Sequence, residues 1–522
     1  MSQEGTCVPS CHCSCNRIFN YAILSTNMKQ CKIIVKDEVN CKIEGLELTE
    51  RKALVKMFEY DVPGARYLPA VRLGRWNGKV SFFSLGGSSY VNLLPEILPF
   101  IDSRDYDIEL EDLRTYSTTF KFAEVSEETF KHKNWPEGHT IAGQPVVLRD
   151  YQISIINEFL KNPQSLQEIA TGAGKTLITA ALSWSIESYG RSIVIVPNKS
   201  LVTQTEADYI NLGLDVGVYF GDRKEYNKTH TICTWQSLNN MLKKTKAGEA
   251  EIEIGDFLEG VVCVMVDEVH MAKADALKEL LTGVMSNIPI RWGLTGTIPK
   301  EKFASQAIFI SLGNVINKLS ASELQDRGVL ARCHVNIVQL QDGVEFSNYQ
   351  SELKHLLEDG KRLDKISQLV DTIKNTGNTL ILVDRVAAGK ELHNRLAELL
   401  RDYKTEYDVV FVSGNTGMDE RKEQYDEVAT STNKIIIATY GIAAVGINIP
   451  RIFNLVLIEP GKSFVRVIQS IGRGIRKAED KDHVEIWDIT SSCKFAKRHL
   501  TQRKTFYREA NYPFDVEKLT YK

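Results

Sequence analysis

Short apolar runs, recurring at intervals through two long stretches of the chain, constrain its fold more than any other feature. Ile193–Val196 and Val261–Val266 lie in the first stretch; Leu380–Val383, Val409–Val412, Ile435–Ala438 and Leu455–Ile458 lie in the second. Between them run longer segments of helical character, such as Leu177–Glu187 and Gly389–Leu400. A strand that is apolar on both faces has to be covered on both faces, and alternation with helices then gives parallel sheets between helical layers. The expected fold class is α/β: two tandem parallel-sheet lobes, residues 141–325 and 326–490, with the crossover near Gly328–Gln341. At 522 residues the chain exceeds what one core normally serves, which agrees with this division.

Outside the lobes the texture differs. Residues 28–140 read as a small α+β unit plus a linker. Leu54, Met57 and Phe58 sit at i, i+3 and i+4, a helical apolar stripe. Val71–Val80 reads as a β-hairpin turning on Asn77-Gly78, since Asn-Gly supplies the positive φ angles of a type I′ turn. Glu111–Gly138 is charged and polar and reads as the linker. Residues 491–522 hold eight Lys and Arg against three acids and read as a basic tail. Residues 1–27, with Cys7, Cys11, Cys13 and Cys15, read as a disordered leader; zinc is the alternative, although the spacing lacks two separated pairs. There is no apolar run of about 18 residues and no secretion signal, so a cytoplasmic protein is expected. With a net charge of −3, phosphate contacts are expected along one groove rather than over the whole surface.

The chemistry concentrates in three places. Thr171-Gly172-Ala173-Gly174-Lys175-Thr176 stands just ahead of a helix. Small residues let the backbone curl round a phosphate, with amide groups converging at the helix amino end. Lys175 would bridge the β- and γ-phosphates, and the Thr176 hydroxyl would reach Mg²⁺. Ile169 stands where the pattern usually opens with glycine. About ninety residues on, Val264–Val266 runs into Asp267-Glu268-Val269-His270, an apolar strand presenting carboxylates at its carboxyl edge. Asp267 would hold Mg²⁺, and Glu268 would orient and deprotonate the attacking water. Finally, Gln469, Arg473 and Arg476 share one face of a helix, two guanidiniums able to stabilise charge on a γ-phosphate.

Together these motifs resemble superfamily 2 DExH helicases and translocases over about residues 141–490. The resemblance implies two RecA-like lobes, ATP and Mg²⁺ as cofactors, and a set of further roles. Arg149 and Gln152 then belong to the adenine-reading segment ahead of the phosphate loop. Asn198 and Lys199, with Thr234, Trp235 and Gln236, become first-lobe strand contacts. His270, Thr295 and Thr297 couple the site to the strand; Leu294-Thr295-Gly296-Thr297 stands where Ser-Ala-Thr is common. Arg385, Gly414 and Thr439 are implied contacts of the second lobe, and Gly446 a nucleotide sensor.

The amino-terminal unit, Thr234-Trp235-Gln236-Ser237 and the Gly446-Ile447-Asn448 run further resemble phage UvsW-type branch-migration helicases. That implies a DNA partner, forked or four-way, with recombination or replication proteins as possible associates and a monomer favoured. Arg75 and Trp76 would grip duplex, the alternative being a tryptophan packed under a turn. Residues 1–140 are then expected to be dispensable for strand-stimulated ATP hydrolysis. An RNA helicase, the motor subunit of a restriction or repair complex, and a nucleotide-gated binding switch remain alternatives.

Overall fold

The computed structural model describes residues 29–115, 120–137, 142–271, 274–401, 407–414, 416–428, 430–443, 449 and 451–521. The cysteine-rich leader and Gly446-Ile447-Asn448 lie outside them. The chain divides into two bodies, one of residues up to 318 apart from 169–173, the other of 169–173 and 319–522.

The first body opens with strands β1 (Lys29–Val35), β2 (Asn40–Glu44), β3 (Glu59–Asp61), β4 (Lys79–Ser81), β5 (Ser88–Tyr90) and β6 (Tyr106–Asp112). A four-stranded sheet runs β5-β2-β1-β6, and β3 pairs with β4 separately. The hairpin expected at Val71–Val80 is not there. Pro69, whose ring fixes a helical φ, instead starts the single-turn helix α1 (Pro69–Arg72). Lys79–Ser81 pairs back to Glu59–Asp61 rather than to the segment before the turn. In the Asn-Gly pair only Gly78 adopts positive φ, so the turn is not type I′. Leu54 and Phe58 are buried as the stripe predicts, whereas Met57 is 46% exposed.

The larger sheet of this body comprises β7 (Gln164–Ile169), β8 (Arg191–Val196), β9 (Val216–Phe220), β10 (Arg223–Lys224), β11 (His230–Thr234), β12 (Val261–Asp267), β13 (Ile290–Thr295) and β14 (Val315–Leu319). Its order is β10-β9-β11-β8-β12-β13-β7-β14. The ladders from β9 through β7 are parallel. β12 is buried at every position, as a central strand with helices on both faces must be. The helices that matter for the site are α2 (Asp150–Lys161), α3 (Lys175–Ile186), α4 (Lys199–Asn211), α5 (Trp235–Ala247) and α6 (Lys302–Leu312).

Two expectations about the amino-terminal region change. The stretch read as a linker is laced to the lobe: Val125 and Phe130 are buried, and Asn157 bonds both backbone groups of Val125. Phe130 meets Trp184 edge-on, and Phe120 and Phe122 meet Tyr189. A polar composition concealed a few aromatic anchors. Nor is the α+β unit detachable. Phe303, Ala307 and Ile310 of α6 complete its core, and Phe303 stacks on Phe82 at 5.8 Å. Removing residues 1–140 would bare that face of the lobe to water, so the expectation of dispensability is withdrawn.

The second body contains α7 (Gly360–Ile373), α8 (Val386–Leu399), α9 (Phe464–Gly474) and α10 (Lys494–Glu509). Its strands are β15 (Arg332–Leu340), β16 (Thr379–Val383), β17 (Asp408–Val412), β18 (Lys434–Thr439), β19 (Asn454–Ile458), β20 (His483–Ser491) and β21 (Phe514–Leu519), in the order β17-β18-β16-β19-β20-β15-β21. Every ladder is parallel. The segment read as a crossover is itself the strand β15. The basic segment after residue 490 is part of this fold: α10 buries Leu500, Arg503, Phe506 and Tyr507, and β21 closes the sheet beside β15. The six cysteines beyond the leader are free and buried. Among the described residues no helix is long and apolar enough to cross a membrane, and no group of three or more metal-ligating side chains occurs.

The shared core gives a direct test. Phe303→Ala removes a stacked ring from the amino-terminal core and is expected to cost about 3–5 kcal/mol. A denaturant midpoint indistinguishable from the parent's would show that the two parts are not packed as one.

Candidate active site

The site is assembled at the carboxyl edge of the first-body sheet. β7 leads into the phosphate loop, where Gly172 and Gly174 take φ of +92° and +81°, a region that glycine enters without strain. Gly174 caps α3, whose first residue is Lys175 and second is Thr176. The loop has no room for larger residues: a Cβ on Gly174 would sit 2.6 Å from Nε2 of Gln152. Gln152 is buried in the first turn of α2, and its Oε1 accepts the amide N–H of Arg149 at 3.0 Å. The adenine-reading candidates thus stand against the phosphate loop. Arg149 also donates to the Tyr151 hydroxyl at 3.0 Å.

Opposite Lys175 stands the end of β12. The Lys175 ammonium donates to Oε1 of Glu268 at 2.7 Å, with both side chains about nine-tenths buried. Glu268 holds φ at +50°, a strained value for a residue with a side chain, costing on the order of 1–3 kcal/mol. Its amide donates to Asp267 Oδ1 at 2.9 Å, and its Oε2 accepts the Gly296 amide at 3.3 Å. Burial pushes the Asp267 carboxyl above its ordinary range, and the adjoining Glu268 carboxylate adds to this. Burial works the same way on Glu268, but the Lys175 and His270 charges outweigh it and hold that carboxyl below its ordinary range.

His270, Thr295 and Thr297 form a relay behind this pair. His270 Nδ1 lies 2.6 Å from Thr295 Oγ1 and 3.6 Å from Glu268 Oε2. The Thr295 hydroxyl donates to the Thr297 carbonyl at 2.8 Å. Thr297 Oγ1 is buried, with no hydrogen-bond partner among the described residues.

The first-lobe strand-contact candidates lie together at the carboxyl ends of adjacent strands, where Val196 pairs with Thr234. Asn198 caps α4 by accepting the Leu201 amide, and Lys199 follows it, exposed. Thr234 caps α5; Trp235 is half-buried, and the exposed Gln236 donates to the Pro197 carbonyl at 3.3 Å. Asn198 and Thr234 therefore already have a structural task. Arg75 is exposed on the amino-terminal unit, but Trp76 is half-buried and spends its indole N–H on the Lys79 carbonyl at 2.8 Å. That geometry matches the tryptophan packed under a turn.

In the second body, Arg385, Gly414 and Thr439 follow or end β16, β17 and β18, which are neighbours in the sheet. Arg385 pairs with Glu358 at 3.4 Å. Gln469 and Arg473 are carried on α9 and Arg476 just beyond it; the side chains of Gln469 and Arg473 lie outside the described ones.

What sequence reasoning missed is how α9 is held. The buried Lys481 donates to the carbonyls of Gly474 and Arg476, at 2.7 and 2.8 Å, holding a positive charge at the carboxyl end of the helix. Burial, with Arg476 beside it, pulls this ammonium down to about 7. At the other end, the turn from β19 to α9 begins at Glu459, whose φ is +45°. The wholly buried Arg362 binds Glu459 at 2.5 Å and Asp342 at 3.1 Å. Arg503, equally buried, makes two bonds to Asp488 and donates to the Gly461 carbonyl. No local pattern marks these residues; Arg503 reads as one more charge in a basic run.

Two family models match the chain: the type III restriction enzyme res subunit over residues 145–300, and the helicase conserved C-terminal domain over residues 361–478. The ATP-dependent DNA helicase uvsW of Enterobacteria phage T4 is 24% identical over 500 residues, covering 92% of this chain and 94% of that one. The DNA 3'-5' translocase XPB2 of Sulfurisphaera tokodaii is 23% identical over 438 residues, covering 76% and 94%. Among solved structures, the ATP-dependent Type ISP restriction-modification enzyme LlaBIII bound to DNA superposes with a TM-score of 0.55 at 16% identity. That likeness covers 81% of this chain and 34% of that one, and it speaks to the fold alone.

Lys175→Ala is expected to abolish ATP hydrolysis and to lower the melting temperature, because Glu268 loses its counter-charge in a buried setting. Glu268→Gln is expected to retain ATP binding while turnover falls at least about a hundredfold. Phosphate release and nucleotide-binding titrations check both. Arg503→Ala strands Asp488 in the core and is expected to cost about 3–5 kcal/mol. Arg503→Lys recovers only part, since one ammonium cannot span both Asp488 oxygens and the Gly461 carbonyl. A parent-like denaturant midpoint for Arg503→Ala would contradict that reading.

Proposed function

The chain belongs to the superfamily 2 helicases, and from that premise we propose that it is an ATP-driven DNA motor that remodels branched DNA, such as forks, D-loops, R-loops and four-way junctions. The observation that carries the ATPase half is the pairing of Lys175 with Glu268 at the end of a strand buried along its whole length. The lysine neutralises the carboxylate. When ATP enters, phosphate competes for that ammonium, and Glu268 is released to orient the attacking water and take its proton. Thr176 and Asp267 offer hard oxygen donors suited to Mg²⁺, which would neutralise phosphate charge. The gain in Asp267 proton affinity on burial fits a carboxylate made to face a cation. Gln152, beside Gly174, reads the adenine edge, and Arg473 and Arg476 stabilise charge developing on the γ-phosphate.

The DNA half rests on the relatives. The phage T4 protein is an ATP-dependent DNA helicase and shares nearly its whole length with this chain. The loops after β8 and β11, and those after β16, β17 and β18, would grip the backbone rather than the bases, which makes movement independent of sequence. With Trp76 engaged inside its own turn, the exposed Arg75 is the better candidate for a duplex contact on the amino-terminal unit.

The test is ATP-dependent strand displacement on forks, four-way junctions and linear duplexes, with matched RNA substrates. Displacement of branched DNA in preference to RNA is expected. Hydrolysis with no displacement would favour a nucleotide-gated switch, and RNA preference would favour an RNA helicase. Arg473→Ala and Arg476→Ala are each expected to lower turnover by about 10³-fold or more while ATP affinity changes less. Normal hydrolysis in both would remove the arginines from the reaction.

A further inference from the structure

α10 presents two faces of opposite character. Its inner face carries Leu500, Arg503, Phe506 and Tyr507 into the core. Its outer face carries Lys494, Lys497, Arg498 and Arg508, all exposed, with Lys504 half-buried between them. No acidic residue occurs in the helix before Glu509, and among the described residues none of these five cations forms an ion pair. Arg508 lies over the Phe514 ring at 5.4 Å, which holds its guanidinium in place.

This arrangement works against the helix that bears it. Lys494 with Lys497, Lys494 with Arg498, and Lys504 with Arg508 are like charges three or four residues apart, each unfavourable to an isolated helix. Lys494 and Lys497 also sit in the first turns, where the helix dipole disfavours positive charge. The amino end is already engaged by Glu352, which accepts the Phe495 and Ala496 amides at 3.0 and 2.7 Å. An anion therefore has to be met along the side of the helix rather than at its end. In a chain of net charge −3, a one-sided run of cations that breaks local rules without a compensating partner points to an anionic partner.

We propose that the outer face of α10 is a DNA backbone-binding strip, using Lys494, Lys497, Arg498 and Arg508 as phosphate contacts. From Lys494 to Arg508 the strip runs about 21 Å at the helical rise. Duplex DNA carries one charge per roughly 1.7 Å of axis, so the strip matches a continuous phosphate track and reads no base. Its opposite face holds the turn that launches α9 through Arg503 and the Gly461 carbonyl, so DNA engaged there bears on the element carrying Arg473. The proposal rests on the reading of the chain as a DNA motor.

The test compares the full chain with the combined variant Lys494→Gln, Lys497→Gln, Arg498→Gln and Arg508→Gln, binding a blunt random-sequence DNA duplex across a salt series. Removing four phosphate contacts is expected to reduce the slope of log affinity against log salt by about 0.9 per contact and to weaken low-salt binding at least about tenfold. The melting temperature is expected to hold or rise, since like-charge repulsion is relieved. Arg498→Lys with Arg508→Lys keeps the charge and is expected to bind nearly as the parent does. An unchanged slope in the glutamine variant, with the parent binding well, overturns the strip. So does a weaker affinity whose slope is unchanged and whose melting temperature falls, because the cations then serve the fold. A parent that neither binds the duplex nor hydrolyses ATP faster in its presence counts instead against the motor reading.

Discussion

A parallel sheet buried on both faces has nowhere to put polar chemistry except beyond the ends of its strands. β12 follows that rule strictly: six consecutive buried apolar residues, then two carboxylates. The backbone has to leave the sheet abruptly at that point, and Glu268 does so at positive φ. The strain is held by what surrounds it: an ammonium on one oxygen, the Gly296 amide on the other, and the Asp267 carboxylate on its own N–H. Remove the sheet's burial and neither the strain nor the raised proton affinity of Asp267 has its cause, whereas Glu268 is held low by the Lys175 and His270 charges working against burial.

The second body repeats the problem with a different solution. Its turn out of β19 also begins with a glutamate at positive φ, Glu459, and that carboxyl too is pushed up by burial, to about 7, with Arg362 pulling against the shift. Here the counter-charge is structural. Arg362 ties Glu459 to Asp342, whose oxygens also accept from Ser491 and Tyr521. Taken with Arg503 and Lys481, the start and finish of α9 are both held by buried cations. Such networks are costly to desolvate, and a well-packed apolar cluster would often be as stable. What ionic ties add is geometry, which a helix carrying two functional arginines needs more than it needs burial energy.

Legibility followed the range of the interactions. The six apolar runs all became strands; in five of them burial on both faces leaves a local imprint in composition, while β17 is a half-buried edge strand. The strands β7, β11 and β13 escaped that reading because they carry the polar Gln167, His230 and Arg291, each satisfied by distant partners: the Ile155 carbonyl, Ser192 and Glu187, and four carbonyls from 281 to 311. The phosphate loop and the Asp267-Glu268 pair were legible since their residue types are set by chemistry. Asn77-Gly78 misled because a turn signal does not say which strand comes back; Pro69 had already committed the preceding residues to a helix. The supposed linker misled for the reverse reason, its few aromatic anchors being outvoted by polar neighbours.

These distinctions bear on how force could be transmitted. A helix such as α10 reads in sequence as a uniform basic run, yet its charges divide by face: Arg503 is wholly buried and paired, Lys504 is half-buried, and Lys494, Lys497, Arg498 and Arg508 are exposed, with no ion pair among the described residues. Only the fold separates them. The buried one cannot touch solvent without dismantling the Asp488 pair, so it serves as a fixed strut between the helix and the Gly461 turn. Among the described residues the exposed ones form no ion pair, which leaves their charge to an outside partner. A rigid element with one face committed to the launch of α9 and the other open to a polyanion can pass a load between them without any change in its own shape, because packed side chains do not yield gradually.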